Sequence, residues 1–168
     1  MWVTRRTDYA TRAVLALAMA DDAMNLEQLA DVTEAPRSVL EQVMPALRAA
    51  GIVRSVRGPG GGYRLNHPPQ ELTLERVVRV FEGQLAPIGY ATRHEPDPCP
   101  AIVGRSLRPA WEQVRDATIT ILSGINFGDL AEAARAEPER PVRQDAPTVE
   151  RSSRLTVPAN RPPARRFG

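Results

Sequence analysis

The five residues Gly58-Pro59-Gly60-Gly61-Gly62 constrain this chain more than any others, because they set four glycines and a proline between the short runs Ile52-Val53-Arg54-Ser55 and Gly62-Tyr63-Arg64-Leu65. A stretch with so few side chains cannot carry a helix, and its aliphatic and aromatic flanks favour strands, so a tight hairpin is required here. Two enzyme readings fail on spacing. A phosphate loop needs G-x-x-x-x-G-K-S/T, and a dinucleotide loop needs G-x-G-x-x-G leading into a helix; here Tyr63 takes the place of the third glycine and a strand follows. No G-x-S-x-G, H-E-x-x-H or paired-cysteine motif occurs elsewhere, so no enzyme activity is expected.

What precedes the hairpin gives it a context. From about Arg6 to Ala20, Ala10, Val14, Leu17 and Ala18 recur at helical spacing. A second helix starts at Asn25, whose side chain caps it while Gln28 closes a capping box, with Leu26, Leu29 and Ala30 on the buried side. After a turn at Glu34-Ala35, Pro36 suits the first position of a third helix with Leu40, Val43, Met44 and Leu47 inward, and Gly51 ends it. Two helices joined by a short turn and followed by a hairpin describe a helix-turn-helix with a wing. In that setting the glycine tip and Arg57 can approach a sugar-phosphate backbone with few side chains in the way, whereas an isolated Gly-Pro turn would serve backbone geometry alone.

Beyond the hairpin, Thr73 caps a helix running through Phe81 with Leu74, Val77, Val78 and Phe81 facing in, and residues 84–105 form an irregular, proline-containing loop. A long helix is expected from Ser106, with Pro109 in its first turn. Leu107, Trp111, Val114, Thr118, Ile121 and Ile125 follow at alternating steps of four and three, the 3.5-residue period of a helix-pairing seam. Such a stripe packs either on a partner helix or on its own domain. Asn126 and Asp129 open a short final helix, and 137–168, with six prolines and seven arginines, reads as a disordered tail. The expected fold is therefore mainly α with a small β-hairpin. It divides into a winged helix-turn-helix domain over 1–83, a loop over 84–105, C-terminal helices over 106–136 and the tail, and the loop and C-terminal helices take the roles of sensor and dimerisation element only through the resemblance given below.

Composition adds little on its own, since a formal charge of +2 over 168 residues is only mildly basic. Its distribution says more. Ala46 to Asn66 holds four arginines (Arg48, Arg54, Arg57, Arg64) and no acid, while Asp21 to Glu34 is acidic without a base. No run reaches the roughly 20 apolar residues of a membrane span, and the N-terminal segment lacks an apolar signal core, so a cytoplasmic protein is expected. A single cysteine, Cys99, forms no internal disulfide, in keeping with that compartment.

The segments TRRTDYATRAVLALA, VLEQVMPALRAAGIVRSVRGPGGGYRL, LTLERVVRVFEG and AWEQVRDATITILSGINFGDL together resemble the Rrf-two family of bacterial winged-helix regulators, over about Met1 to Ala134. The resemblance implies a homodimeric, usually repressing transcription factor that binds double-stranded DNA at a palindromic operator. Its third helix would enter the major groove, its wing the minor groove, and its long C-terminal helix would pair with the partner's. Carried over by position, Ser38, Glu41 and Gln42 are base-reading candidates and Arg57, Gly58 and Pro59 stand at the wing, with Arg37 and Arg48 on phosphates. The chemistry suits them: glutamate accepts from cytosine N4, glutamine pairs with adenine, and arginine fits a narrow minor groove. A protein-interaction module that has lost specific DNA binding is the alternative from another class.

The loop departs from the family. Cluster-binding relatives carry three cysteines there; here only Cys99 remains, and the flanking places fall at Arg93 and Arg105. A usual iron–sulfur cluster takes about four ligands, mostly thiolates, so none is expected. Asp8 matches the N-terminal acid that completes some clusters in the family, and an atypical site would use Cys99, His94 and Asp8 of the other subunit. Thiol chemistry at Cys99, with Arg93, His94 or Arg105 lowering its pKa, is a second sensor reading. A loop cysteine without a sensing role, and Asp8 as a favourable charge near a helix N-terminus, are the plain readings.

Overall fold

The structure is a computed structural model that describes residues 3–58, 60–94, 97–99 and 102–136, with backbone alone at 102 and 103. Pro59 and the tail from 137 onward lie outside the described residues. Six α-helices are described: α1 Arg5–Met19, α2 Leu26–Thr33, α3 Arg37–Ala49, α4 Leu74–Glu82, α5 Ile102–Ser123 and α6 Phe127–Ala136. One antiparallel pair, β1 Val53–Val56 and β2 Gly62–Leu65, stands between α3 and α4, with short 3-10 turns at Pro69–Glu71 and Gly89–Ala91.

Helix α1 is the axis of the fold. Alanines at 10, 13, 16 and 18, with Val14 and Leu17, are buried, so this helix is covered on several faces at once and packs against α2, α3, α4 and α6. Small side chains allow the close approach that so many neighbours demand. Its N-terminus is tied to the end of α4. The Glu82 carboxylate accepts from the Thr7 hydroxyl at 2.5 Å, the Thr4 hydroxyl at 2.8 Å and the Thr4 amide at 3.0 Å. These bonds, the one from Thr7 foremost, hold the Glu82 pKa below the ordinary carboxylate value. A negative charge at a helix N-terminus is also favoured by the helix dipole.

The capping box at Asn25 forms as expected, with both Glu27 and Gln28 amides donating to Asn25 Oδ1 at 2.9 Å and Gln28 Oε1 accepting from the Asn25 amide at 2.9 Å. Glu34 then turns the chain through the left-handed region at φ 54, which shortens the link to α3. Pro36 is the N-cap of α3 rather than its first helical residue. At the other end Gly51, at φ 69, closes a Schellman motif: its amide bonds to the Arg48 carbonyl at 3.0 Å and the Ile52 amide to the Leu47 carbonyl at 2.9 Å. The wing is thus bolted directly onto the end of α3.

Three expectations from the C-terminal half need correction. The long helix begins at Ile102, so Ser106 lies inside it and is no cap, and Pro109 stands in the second turn rather than the first. The helix ends at Ser123, so Ile125 has left it; the Ile125 carbonyl accepts from the Leu74 amide at 2.8 Å instead. Finally, α6 carries Phe127 and Ala131 into the same core as α1, Leu40, Leu47 and Leu72. The Asn126 cap is present, with the Asp129 amide donating to Asn126 Oδ1 at 2.9 Å. Helix α6 therefore belongs to the winged-helix body, while α5 is the element with an uncovered face.

The hairpin is also held from outside. Met24 and Tyr63 exchange backbone hydrogen bonds at 3.1 and 2.8 Å, which adds one bridge from the segment before α2 to the edge of β2. Gly62 sits against that bridge, where a Cβ would lie 2.2 Å from the Met24 carbonyl oxygen and 2.7 Å from the Asn25 nitrogen. Both neighbours are backbone and cannot swing away. Gly62→Ala is therefore expected to cost on the order of 1–3 kcal/mol of stability through overpacking. Urea unfolding measures it, and an unchanged midpoint would mean that the hairpin is not held at Met24.

Candidate nucleic-acid interface

One side of α3 is buried and the other is open. Leu40, Val43, Met44 and Leu47 are fully buried, whereas Arg37, Ser38, Glu41, Gln42, Pro45, Arg48 and Ala49 are exposed. At 100° per residue those exposed positions form one continuous face, so Ser38, Glu41 and Gln42 project together. In the free chain the Glu41 carboxylate is engaged by Arg37 Nε at 3.2 Å, one helical turn away, with both side chains more than half exposed. Such a surface pair contributes little and yields readily to a better partner. Pro45, absent from the sequence-based candidates, lies in the middle of the same face. Lacking an N–H, it leaves the Glu41 carbonyl without its usual intrahelical donor.

The wing continues this surface. The Gly61 amide donates to the Gly58 carbonyl at 2.8 Å, closing a turn whose Gly58 and Gly60 adopt φ 110 and 76. Those angles require glycine, and the result is a tip nearly free of side chains. Arg57 is exposed at its base and, among the described residues, makes no ion pair. The four arginines of the hairpin region are not equivalent. Arg64 is drawn to Asp22 at 2.6 Å and to the Asp21 carbonyl at 2.9 Å, which neutralises it and relieves its position directly opposite Arg54 in the strand pair. Arg48 shares a hydrogen bond with Ser55 of β1 at 3.3 Å and so joins helix to wing. Among the described residues Arg48, Arg54 and Arg57 have no ion-pair partner, so the uncompensated positive charge lies on these three, with Arg48 on the exposed face of α3 itself.

Within one chain the loop candidates lie apart from Asp8, which the atypical reading takes from the other subunit. Asp8 is paired with Arg12 at 2.8 Å, the His94 backbone is held by Gln84, and Cys99 is a part-buried free thiol. Among the described residues no three His, Cys, Asp or Glu side chains are grouped to hold a metal. Arg93 instead fastens the loop to α5: its Nη2 meets Asp116 Oδ1 at 2.9 Å, and Arg115 Nε meets the same oxygen at 2.9 Å. Arg115, only 8% exposed, also donates to the Ala91 carbonyl. Hydrogen bonds from Arg115 first and Arg93 second pull the Asp116 pKa down to about 2, so this clasp stays ionised throughout the neutral range.

Comparison with known proteins bears on both halves of the surface. A sequence profile of the Rrf2 family, described as an iron-dependent transcriptional regulator, matches residues 3–133. The chain is 29% identical over 141 residues to the HTH-type transcriptional regulator CymR of Bacillus subtilis, covering 83% of this chain and 96% of that one. It is 33% identical over 134 residues to the HTH-type transcriptional regulator IscR of Aliivibrio salmonicida, covering 77% of each. The structure of CymR, the global cysteine regulator of B. subtilis, superposes with a TM-score of 0.65 at 27% identity, over 79% of this chain and 98% of that chain.

With one thiol, a guanidinium at each flanking place and Asp8 engaged by Arg12, the residues within one chain do not fit a usual iron–sulfur cluster. The helix-turn-helix and wing are intact, and among the described residues no helix is long and apolar enough to cross a membrane. With the family profile spanning nearly all the described residues and regulators of the same family matching in both sequence and structure, this chain belongs to the Rrf2 family of DNA-binding transcription regulators.

Proposed function

We propose that the protein is a homodimeric repressor acting on the bacterial nucleoid in the cytoplasm, and that it binds a palindromic operator without a usual iron–sulfur cluster. The observation that carries the dimer is the uncovered side of α5, where Leu107 is 49%, Trp111 36%, Val114 46% and Ile121 64% exposed along one stripe. A contiguous row of large apolar side chains on a 22-residue helix is the mark of a missing partner surface. Pairing two such helices sets a fixed distance between two α3 helices, which is what two half-sites demand. Ser38, Glu41 and Gln42 read base edges in the major groove, Arg57, Gly58 and Pro59 serve the minor groove, and Arg37 and Arg48 bind phosphates. For Glu41 this means exchanging Arg37 for a cytosine amine.

The test is recovery of genomic fragments bound by the purified protein, followed by affinity measurements across a salt series. A palindromic site whose binding weakens steeply with salt is the expected result. Fragments without a shared motif, held with the same affinity as random duplex, would overturn the specific-regulator reading.

A further inference from the structure

Away from the DNA-facing surface, the end of α4, the start of the 84–94 segment and the body-facing side of α5 enclose a second polar site. The cavity measures about 230 Å³, with Arg79, Gln84, Arg93, His94, Arg115 and Ile119 among its lining. Arg115 and Ile119 lie about a quarter turn round α5 from the exposed apolar stripe, so this cavity is separate from the proposed dimer seam.

Its hydrogen-bonding capacity is one-sided. Three guanidiniums line it and, among the described residues, no carboxylate does. Two carboxylates just outside serve all three: Glu75 holds Arg79 through Nε at 2.6 Å, and Asp116 is shared by Arg93 and Arg115. Arg79 Nη1 and Arg93 Nε and Nη1 have no partner among the described residues, and neither do the ring nitrogens of His94. The one amide that might have offered an acceptor, Gln84, is spent on the His94 backbone through both its ends, at 2.9 and 3.4 Å. What remains is a set of forked donors with a net positive charge, beside the Thr92 hydroxyl that donates to the His94 carbonyl at 3.0 Å, and such forked donors are the complement of an oxyanion. At 230 Å³ the space is smaller than the roughly 300–1,000 Å³ of drug-sized ligand sites, so the occupant is small.

We propose that this cavity binds a small oxyanion carrying two negative charges, a dicarboxylate or inorganic phosphate, and that occupancy alters operator affinity. The coupling has a concrete route. An anion competes with Asp116 for Arg93 and Arg115, and those contacts join the loop and Ala91 to α5. Loosening them changes how α5 is set against the body, and with it the half-site spacing; this second step rests on the dimeric repressor reading.

Titration calorimetry of the full chain with malonate and with inorganic phosphate, each against chloride of matched ionic strength, tests the site itself. One saturable site per chain for either anion is expected, and the tighter of the two identifies the source chemistry. Arg93→Gln and His94→Gln should each weaken that binding by on the order of ten-fold or more, the effect of losing a charged hydrogen bond. Operator affinity should change by about 5- to 150-fold on saturation, the usual span of allosteric coupling. In the absence of anion His94→Gln should hold the operator as the parent chain does, whereas Arg93→Gln, which breaks the contact to Asp116, should itself shift operator affinity toward the anion-bound value. No saturable heat beyond matched chloride, or variants that bind both anions as tightly as the parent, would overturn the site. Saturable binding with an unchanged operator affinity would overturn the effector role. A chain that binds the anion but no specific DNA would sink the repressor reading and leave the cavity assignment standing.

Discussion

Ile121→Glu and Val114→Glu are each expected to convert the proposed dimer to monomers and to lower affinity for a palindromic operator by about 10³-fold, toward the non-specific level. Both side chains stand in the middle of the α5 stripe, 64% and 46% exposed in the single chain, so neither substitution disturbs the monomer's core. In a paired seam, however, each protomer would bury a carboxylate with no cation placed to meet it, which costs several kcal/mol per charge. A lone α3 reaches only a few base pairs, so loss of the second half-site removes most of the specificity. Sedimentation measures the assembly and a fluorescence titration the affinity. Dimers that persist with glutamate at both positions would place the contact elsewhere on the surface.

Arg57→Ala is expected to weaken operator binding by on the order of 1–3 kcal/mol, roughly 5- to 150-fold, with fold and assembly unchanged. Arg57 is exposed and has no partner among the described residues, so its removal breaks no bond described in the free chain. Its position beside a tip that the φ values of Gly58 and Gly60 keep free of bulk lets the guanidinium enter a groove deeply. Arg64→Ala provides the contrast. That arginine is already committed to Asp22 and the Asp21 carbonyl, so its loss should act on the hairpin more than on DNA affinity. Equal losses of affinity from the two substitutions would show a general effect of charge rather than a groove contact at Arg57.

Much of this interface was legible from local signals. The capping box at Asn25, the glycine stop at Gly51 and the alternation of α3 between buried and polar positions are short-range patterns whose physics is complete within a few residues. For that reason the inner face of α3, with Leu40, Val43, Met44 and Leu47, was readable from the sequence, whereas Ser38, Glu41 and Gln42 were named by the family resemblance. The boundaries of α5 were misjudged because a serine and a proline within a helical pattern look like a start, although a proline in the second turn is tolerated where the helix can spare a hydrogen bond. Ile125 kept the seam's period by coincidence, one residue past the turn at Gly124 that ends the helix.

The sequence by itself determined the elements, the tight wing and the stripe on α5, because helix caps, turn glycines and apolar periodicity act over a handful of neighbouring residues. Tertiary structure alone decided which charges are free. Four arginines surround the wing in the sequence, but Asp22, 42 residues away, takes Arg64, while Arg48 bonds only to the neutral Ser55 hydroxyl, leaving Arg48, Arg54 and Arg57 without a counter-ion among the described residues. Packing likewise carried Phe127 into the core against α1 and brought Arg93 to Asp116 across 23 residues. Neither outcome has a local signature, since the strength of an ion pair depends on distance in space and on the water around it, and both are set only when the chain has closed on itself.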